Sequence, residues 1–112
     1  MLDRPGRHVA RRVETLIIVE CVDMPHRLVA QDIGLDGMLV TSSVPHWPGT
    51  LLRVRFQLRG QPRAIACTCR VLDLVQVPRG VGLSLEFLLL SPEATRAIRE
   101  WMNASHDAFS AA

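Results

Sequence analysis

Leu52-Arg53-Val54-Arg55-Phe56-Gln57-Leu58-Arg59 alternates apolar and polar residues without a break. In an extended chain that places every apolar side chain of the run on one face and every polar one on the other. The period of two recurs. Ala64 to Val75 alternates again, Arg27 to Ile33 does so through Leu28, Ala30 and Asp32, and Leu16 to Val22 is rich in β-branched residues. Met38 to Thr41 and Val81 to Leu89 complete six predicted strands. Turn-forming clusters separate them: Asp23-Met24-Pro25-His26, Gly34 to Gly37, Val44-Pro45-His46-Trp47-Pro48-Gly49, Gly60-Gln61-Pro62 and Pro78-Arg79-Gly80. Short strands punctuated this often predict a closed antiparallel barrel or a sandwich.

The pattern changes after Leu89. Ser91-Pro92-Glu93 offers an N-cap, a proline for the first helical position and an acid in the first turn. Ala94, Ile98, Trp101 and Met102 then form an apolar stripe at helical spacing. At 112 residues the chain is long enough for one core and not for two. The expected layout is a single domain, residues 1–112. Within it lie an extended N-terminal arm at 1–13, a β-barrel at 14–90, a C-terminal α-helix at 91–105 and a small, polar tail at 106–112.

No apolar run approaches the roughly 18–20 residues that would span a bilayer, and Leu16 to Val19 is too short for a secretory signal. Three cysteines in a chain without an export signal fit reduced thiols. These features predict a cytoplasmic protein without membrane insertion. A net charge of +2 is too small to argue for polymeric DNA or RNA. Single-strand binding also usually needs stacking aromatics on a basic face, and three Phe, two Trp and no Tyr leave few to offer. The positive charge is local instead: Arg4, Arg7, Arg11, Arg12 and Arg27 cluster toward the N-terminus.

Two polar motifs stand out. Arg7 and Arg11 lie four residues apart in the arm, followed at once by a strand. Asp32-Ile33-Gly34-Leu35-Asp36-Gly37 makes an acidic, glycine-bearing turn. Guanidinium is planar, permanently charged, and able to fork onto phosphate or stack on a flat ring. A carboxylate beside a glycine turn can accept from the N–H groups of a base edge while the backbone comes close. Together they read as two halves of a nucleotide clamp; taken singly, they read as a solvated basic arm and an ordinary hairpin turn.

At this point the chain resembles the PilZ domain family, the bacterial receptor module for cyclic di-GMP. The resemblance is carried by Arg7-x-x-x-Arg11, by Asp32-x-Gly34-x-x-Gly37, and by later features: Pro48-Gly49 before an alternating strand, Arg70-Val71, Val81-Gly82 with Glu86-Phe87, and the short amphipathic helix. It implies a six-stranded antiparallel barrel with a C-terminal helix, and a protein of second-messenger signalling, for example in motility, pilus or signalling machinery. Carried over, it assigns Arg7 and Arg11 to phosphate and guanine contacts, Asp32 to a guanine N–H, and Gly37 to the turn that lets the ligand approach. Arg12 would supplement or replace Arg11. Gly34 is the departure, since the family has serine there. A lost neutral hydrogen bond weakens binding by about 0.5–1.5 kcal/mol, and water can fill the place. The leading expectation is therefore a cyclic di-GMP receptor whose arm closes over the nucleotide and changes a surface for a protein partner. The alternative is a degenerate domain that binds no nucleotide, serves as a protein-interaction module, and would regain the ligand with serine at 34.

No Ser/His/Asp, Cys/His or paired-carboxylate arrangement suggests catalysis, so no enzyme, cofactor or metal is expected. Cys67-x-Cys69 puts two thiols on one strand face, but Ile65 and Val71 share that face and no second ligand pair has zinc-site spacing; core cysteines are expected. His8, His26, His46 and His106 are dispersed and none is assigned as a ligand, though His8 sits inside the arginine motif. Trp101 and Met102 read as packing. Trp47 reads equally as a plug or an exposed contact.

Overall fold

A computed structural model describes the backbone of residues 11–111 and the side chains of residues 11–105. Its elements are β1 (Arg12–Cys21), β2 (Arg27–Gly34), β3 (Gly37–Ser42), β4 (Leu51–Phe56), β5 (Ile65–Val75), β6 (Val81–Leu88) and α1 (Pro92–Ala111). The strands close into an antiparallel barrel in the order β1-β2-β3-β6-β5-β4. The seam is short: β1 meets β4 only at Val19↔Phe56, Glu20↔Arg55 and Cys21↔Val54. The mainly β, six-stranded barrel with one C-terminal helix is one of the two architectures that the alternation left open and the one that the resemblance implied.

The alternating residues point inward as their period requires. Val19, Leu28, Ala30, Met38, Val54 and Leu85 are fully buried. Opposite them, Arg53 pairs with Asp23 at the surface and Arg55 stands across from Glu20, so the basic strand face is solvated and charge-compensated. On α1, Ser91 Oγ accepts from the Ala94 amide at 3.0 Å, the expected cap. Ile98, Trp101 and Met102 are buried and lay the helix over the barrel end. Trp47 is 70% exposed, which settles its reading as a surface residue.

Three boundaries differ from expectation. β1 begins at Arg12, because Arg12, Val13 and Glu14 pair in register with Gly34, Ile33 and Asp32; the arm therefore ends before residue 13. β4 ends at Phe56 rather than Arg59, since the Gln61 amide turns back onto the Leu58 carbonyl. Leu58 nonetheless stays in the core at 1% exposure. The helix runs on to Ala111 through the expected tail, whose small and polar residues do not break helical geometry.

Connectivity divides the barrel into two ends. The β1–β2, β3–β4 and β5–β6 turns lie at one. The start of β1, the β2–β3 turn, the β4–β5 loop and the entry to α1 lie at the other. Arg11 and the Asp32–Gly37 turn therefore arrive at the helix-covered end. Among the described residues no helix is long and apolar enough to cross a membrane.

Candidate functional site

The site is built where two strand irregularities meet. The β2–β3 register shifts between Ala30 and Asp32, and the β1–β2 register shifts between Glu14 and Ile17. A bulge adds twist and re-aims side chains at a sheet end. Here it leaves Asp32 opposite Leu39, and Asp32 Oδ1 accepts from the Leu39 amide at 3.1 Å. The carboxylate is thus fixed to the sheet before any other partner arrives.

Arg12 supplies the second layer. Its Nη1 donates to Asp32 Oδ1 at 3.3 Å. Its Nε and Nη2 fork onto Asp36 Oδ1 and Oδ2 at 3.2 and 3.3 Å. The three side chains are half-buried, at 25%, 26% and 35% exposure, so one guanidinium balances two carboxylates in a partly desolvated place. A planar five-donor head can do this; an ammonium would not reach both with the same geometry. Asp36 was visible in the sequence as part of the turn but received no site role. The signal for it is its place between Gly34 and Gly37, two residues on from Gly34.

Gly34 has a steric reason to be glycine. A Cβ there would collide with the Arg11 carbonyl oxygen and lie 2.9 Å from Arg12 Cγ and 3.3 Å from Asp36 Oδ1. The absence of serine is therefore coupled to the close seating of the Arg11–Arg12 segment on the turn. That runs against the expectation that serine at 34 would simply restore a lost contact. Gly37 is explained by the sheet: its Cβ would overlap the Leu85 carbonyl oxygen across the β3–β6 pair. Neither glycine has a left-handed φ. What both positions require is close backbone approach.

Of the residues singled out in the sequence, Arg11, Arg12, Asp32, Gly34 and Gly37 are thus brought to one end of the barrel. Arg7 and His8 lie outside the described residues. Arg11 is exposed, with no ion pair to another described residue.

The opposite end holds a pair that sequence distance hid. His26 Nε2 lies 3.0 Å from His46 Nε2. The ring centroids are 5.1 Å apart with planes 19° from parallel. Because the centroids are much further apart than the nitrogens, the rings meet edge to edge and share one hydrogen. Burial, and then the neighbouring His26, lower the His46 pKa from its ordinary value. Among the described residues no three His, Cys, Asp or Glu converge as a metal site. Cys69 is fully buried and Cys67 packs against the same core. Their mutual hydrogen bond lowers the Cys67 pKa and, with burial, raises that of Cys69.

Comparison with known proteins agrees with this geometry. The PilZ domain family model matches residues 7–104. The fold is shared with the Bacillus subtilis inhibitor of motility MotI/DgrA (TM-score 0.76, 17% identity, covering 94% of this chain and 54% of that one). It is shared also with Escherichia coli YcgR in complex with c-di-GMP (TM-score 0.77, 16% identity, 93% and 48%). The isolated PilZ domain of YcgR with c-di-GMP gives TM-score 0.71 and 17% identity, with 91% and 93% covered. This chain spans about half the length of MotI/DgrA and of full YcgR. Among curated proteins none matches. With a family match over nearly the whole chain, laid on a barrel whose arginine segment and acidic turn meet at one end, the chain belongs to the PilZ domain family.

Proposed function

We propose that this chain is a cyclic di-GMP receptor or adaptor domain, not an enzyme, and that the nucleotide binds where Arg11 and Arg12 meet the Asp32–Gly37 turn. The observation that carries the reading is this convergence of permanent cations and a sheet-anchored carboxylate at one barrel end. It is supported by two similar structures that hold c-di-GMP. Arg7 and Arg11 take phosphate and guanine. Asp32 offers a guanine N–H its Oδ2, because Oδ1 already accepts from Leu39 and Arg12. Arg12 supplements these contacts while holding the turn. The missing hydroxyl at Gly34 weakens the site by about 0.5–1.5 kcal/mol and does not remove it, since the larger, charge-assisted contacts remain.

The arm closes over the bound nucleotide and presents a changed surface to a protein partner in the cytoplasm. Likeness to an inhibitor of motility makes motility control the first pathway to examine. Isothermal titration with cyclic di-GMP, against GTP and GMP, tests the reading. Saturable binding at micromolar concentration or tighter for the cyclic dinucleotide alone supports it; no heat at a hundred micromolar overturns it.

One observation favours a second reading. Arg12 already pairs with both turn carboxylates, which holds the turn together without a ligand. On that reading the domain is purely a protein-interaction module, and partner contacts ignore the nucleotide.

A further inference from the structure

Beside the turn, a groove of about 380 Å³ runs between the barrel and α1, lined by Arg11, Leu35, Arg99, Met102 and Asn103. Its size falls within the range of small-molecule sites, roughly 300–1,000 Å³. The helix is locked in azimuth by Ile98 and Trp101, both buried against the barrel. That fixes which helical residues reach the groove. Leu35 and Met102 supply its apolar surface, and Leu35 is the residue directly after Gly34 in the turn.

Among the described residues the charges that line the groove are both positive. Arg99 is exposed, and neither it nor Arg11 has an ion pair to another described residue. The described acids of the helix lie elsewhere: Glu93 and Glu100 line a separate groove with Arg96, on the side of the β4–β5 loop. Two guanidiniums without an acid partner among the described residues, beside an apolar surface, suit an anion that also carries a flat ring. Asn103 adds an amide able to donate and accept at a base edge.

The geometry points to α1 as a further wall of the nucleotide site, with a guanine of cyclic di-GMP seated on Leu35 and Met102, Arg99 over its face and Asn103 at its edge. This rests on the receptor reading above and extends it to the helix, where sequence inspection assigned only packing. It also gives binding a mechanical consequence. A base held between the β2–β3 turn and α1 ties the helix to the barrel end, so occupancy is read out in the helix.

The test is titration of the full chain with cyclic di-GMP for wild type, Arg99→Ala and Arg96→Ala, followed both by calorimetry and by the Met102 methyl resonance. Arg96→Ala is the control for charge on the same helix, and melting curves confirm that both variants fold. Arg99→Ala is expected to weaken binding by roughly 10- to 100-fold, the worth of a charged contact. Arg96→Ala should stay within about twofold, and the wild-type Met102 methyl should shift on saturation. Wild-type binding that Arg99→Ala leaves unchanged, or a Met102 methyl that does not move, overturns the helix wall and leaves the receptor standing. No binding by wild type overturns both.

Discussion

The guanidinium of Arg12 forks onto Asp36, Nε to Oδ1 at 3.2 Å and Nη2 to Oδ2 at 3.3 Å, and so ties the β2–β3 turn to the first residue of β1. The same head reaches Asp32, which is itself bonded to the Leu39 amide. Three strands thereby share one electrostatic knot at the mouth of the proposed nucleotide site.

Removing Arg12 leaves two neighbouring carboxylates without their shared cation, and removing the Asp36 charge leaves Arg12 with Asp32 alone. Arg12→Ala and Asp36→Asn should each lower stability by on the order of 1 kcal/mol, the upper range for partly exposed pairs, or about 4 °C in Tm for a chain of this size. The double variant should lose little more than either single one, which a double-mutant cycle in thermal melts will show. The coupling should shrink in molar salt.

Gly34→Ser should not improve the site. The new Cβ meets the Arg11 carbonyl, a backbone atom that yields only if the Arg11–Arg12 segment withdraws. The expected result is a lower Tm and cyclic di-GMP affinity no better than wild type. A clear gain in affinity, measured by calorimetry, would contradict the steric argument and favour loss of serine as loss of function.

Gly37→Ala tests the sheet rather than the ligand. Its methyl would press on the Leu85 carbonyl between β3 and β6, and overpacking of this kind costs about 1–3 kcal/mol. Urea unfolding should show a lower midpoint at unchanged slope.

At the far end, His46 titrates below its ordinary value because burial and His26 disfavour its charged form. The unfolded chain then binds more protons than the folded one as pH falls through about 6.5. Stability is therefore full above that pH and declines from there toward the lowered folded value. Melting temperature should fall between pH 7.5 and 5.5, and His46→Gln should flatten the slope. An unchanged slope in the variant would assign the acid sensitivity to other groups.

The fold was legible because alternation along strands such as Leu52–Phe56 is a local signal that burial converts directly into a closed sheet. The site was legible to the extent that its residues are adjacent in sequence: Arg11 with Arg12, and Asp32 through Gly37. Contacts between distant residues were not. Nothing local announces that Asp36 receives Arg12, that His46 meets His26, or that Arg99 on the helix shares a groove with Leu35. The two turn glycines were recognised as positions where a ligand could come close. In the structure Gly34 and Gly37 answer first to the protein's own backbone, the Arg11 and Leu85 carbonyl oxygens.

Amide chemical-shift mapping during titration with cyclic di-GMP tests the location of the site most directly. The account predicts saturable shifts at Arg11, Arg12, Leu35, Asp36 and residues 99–103 of the helix, with His26, His46 and Trp47 at the opposite end unmoved. Absence of shifts, or shifts confined to the far end of the barrel, would contradict it.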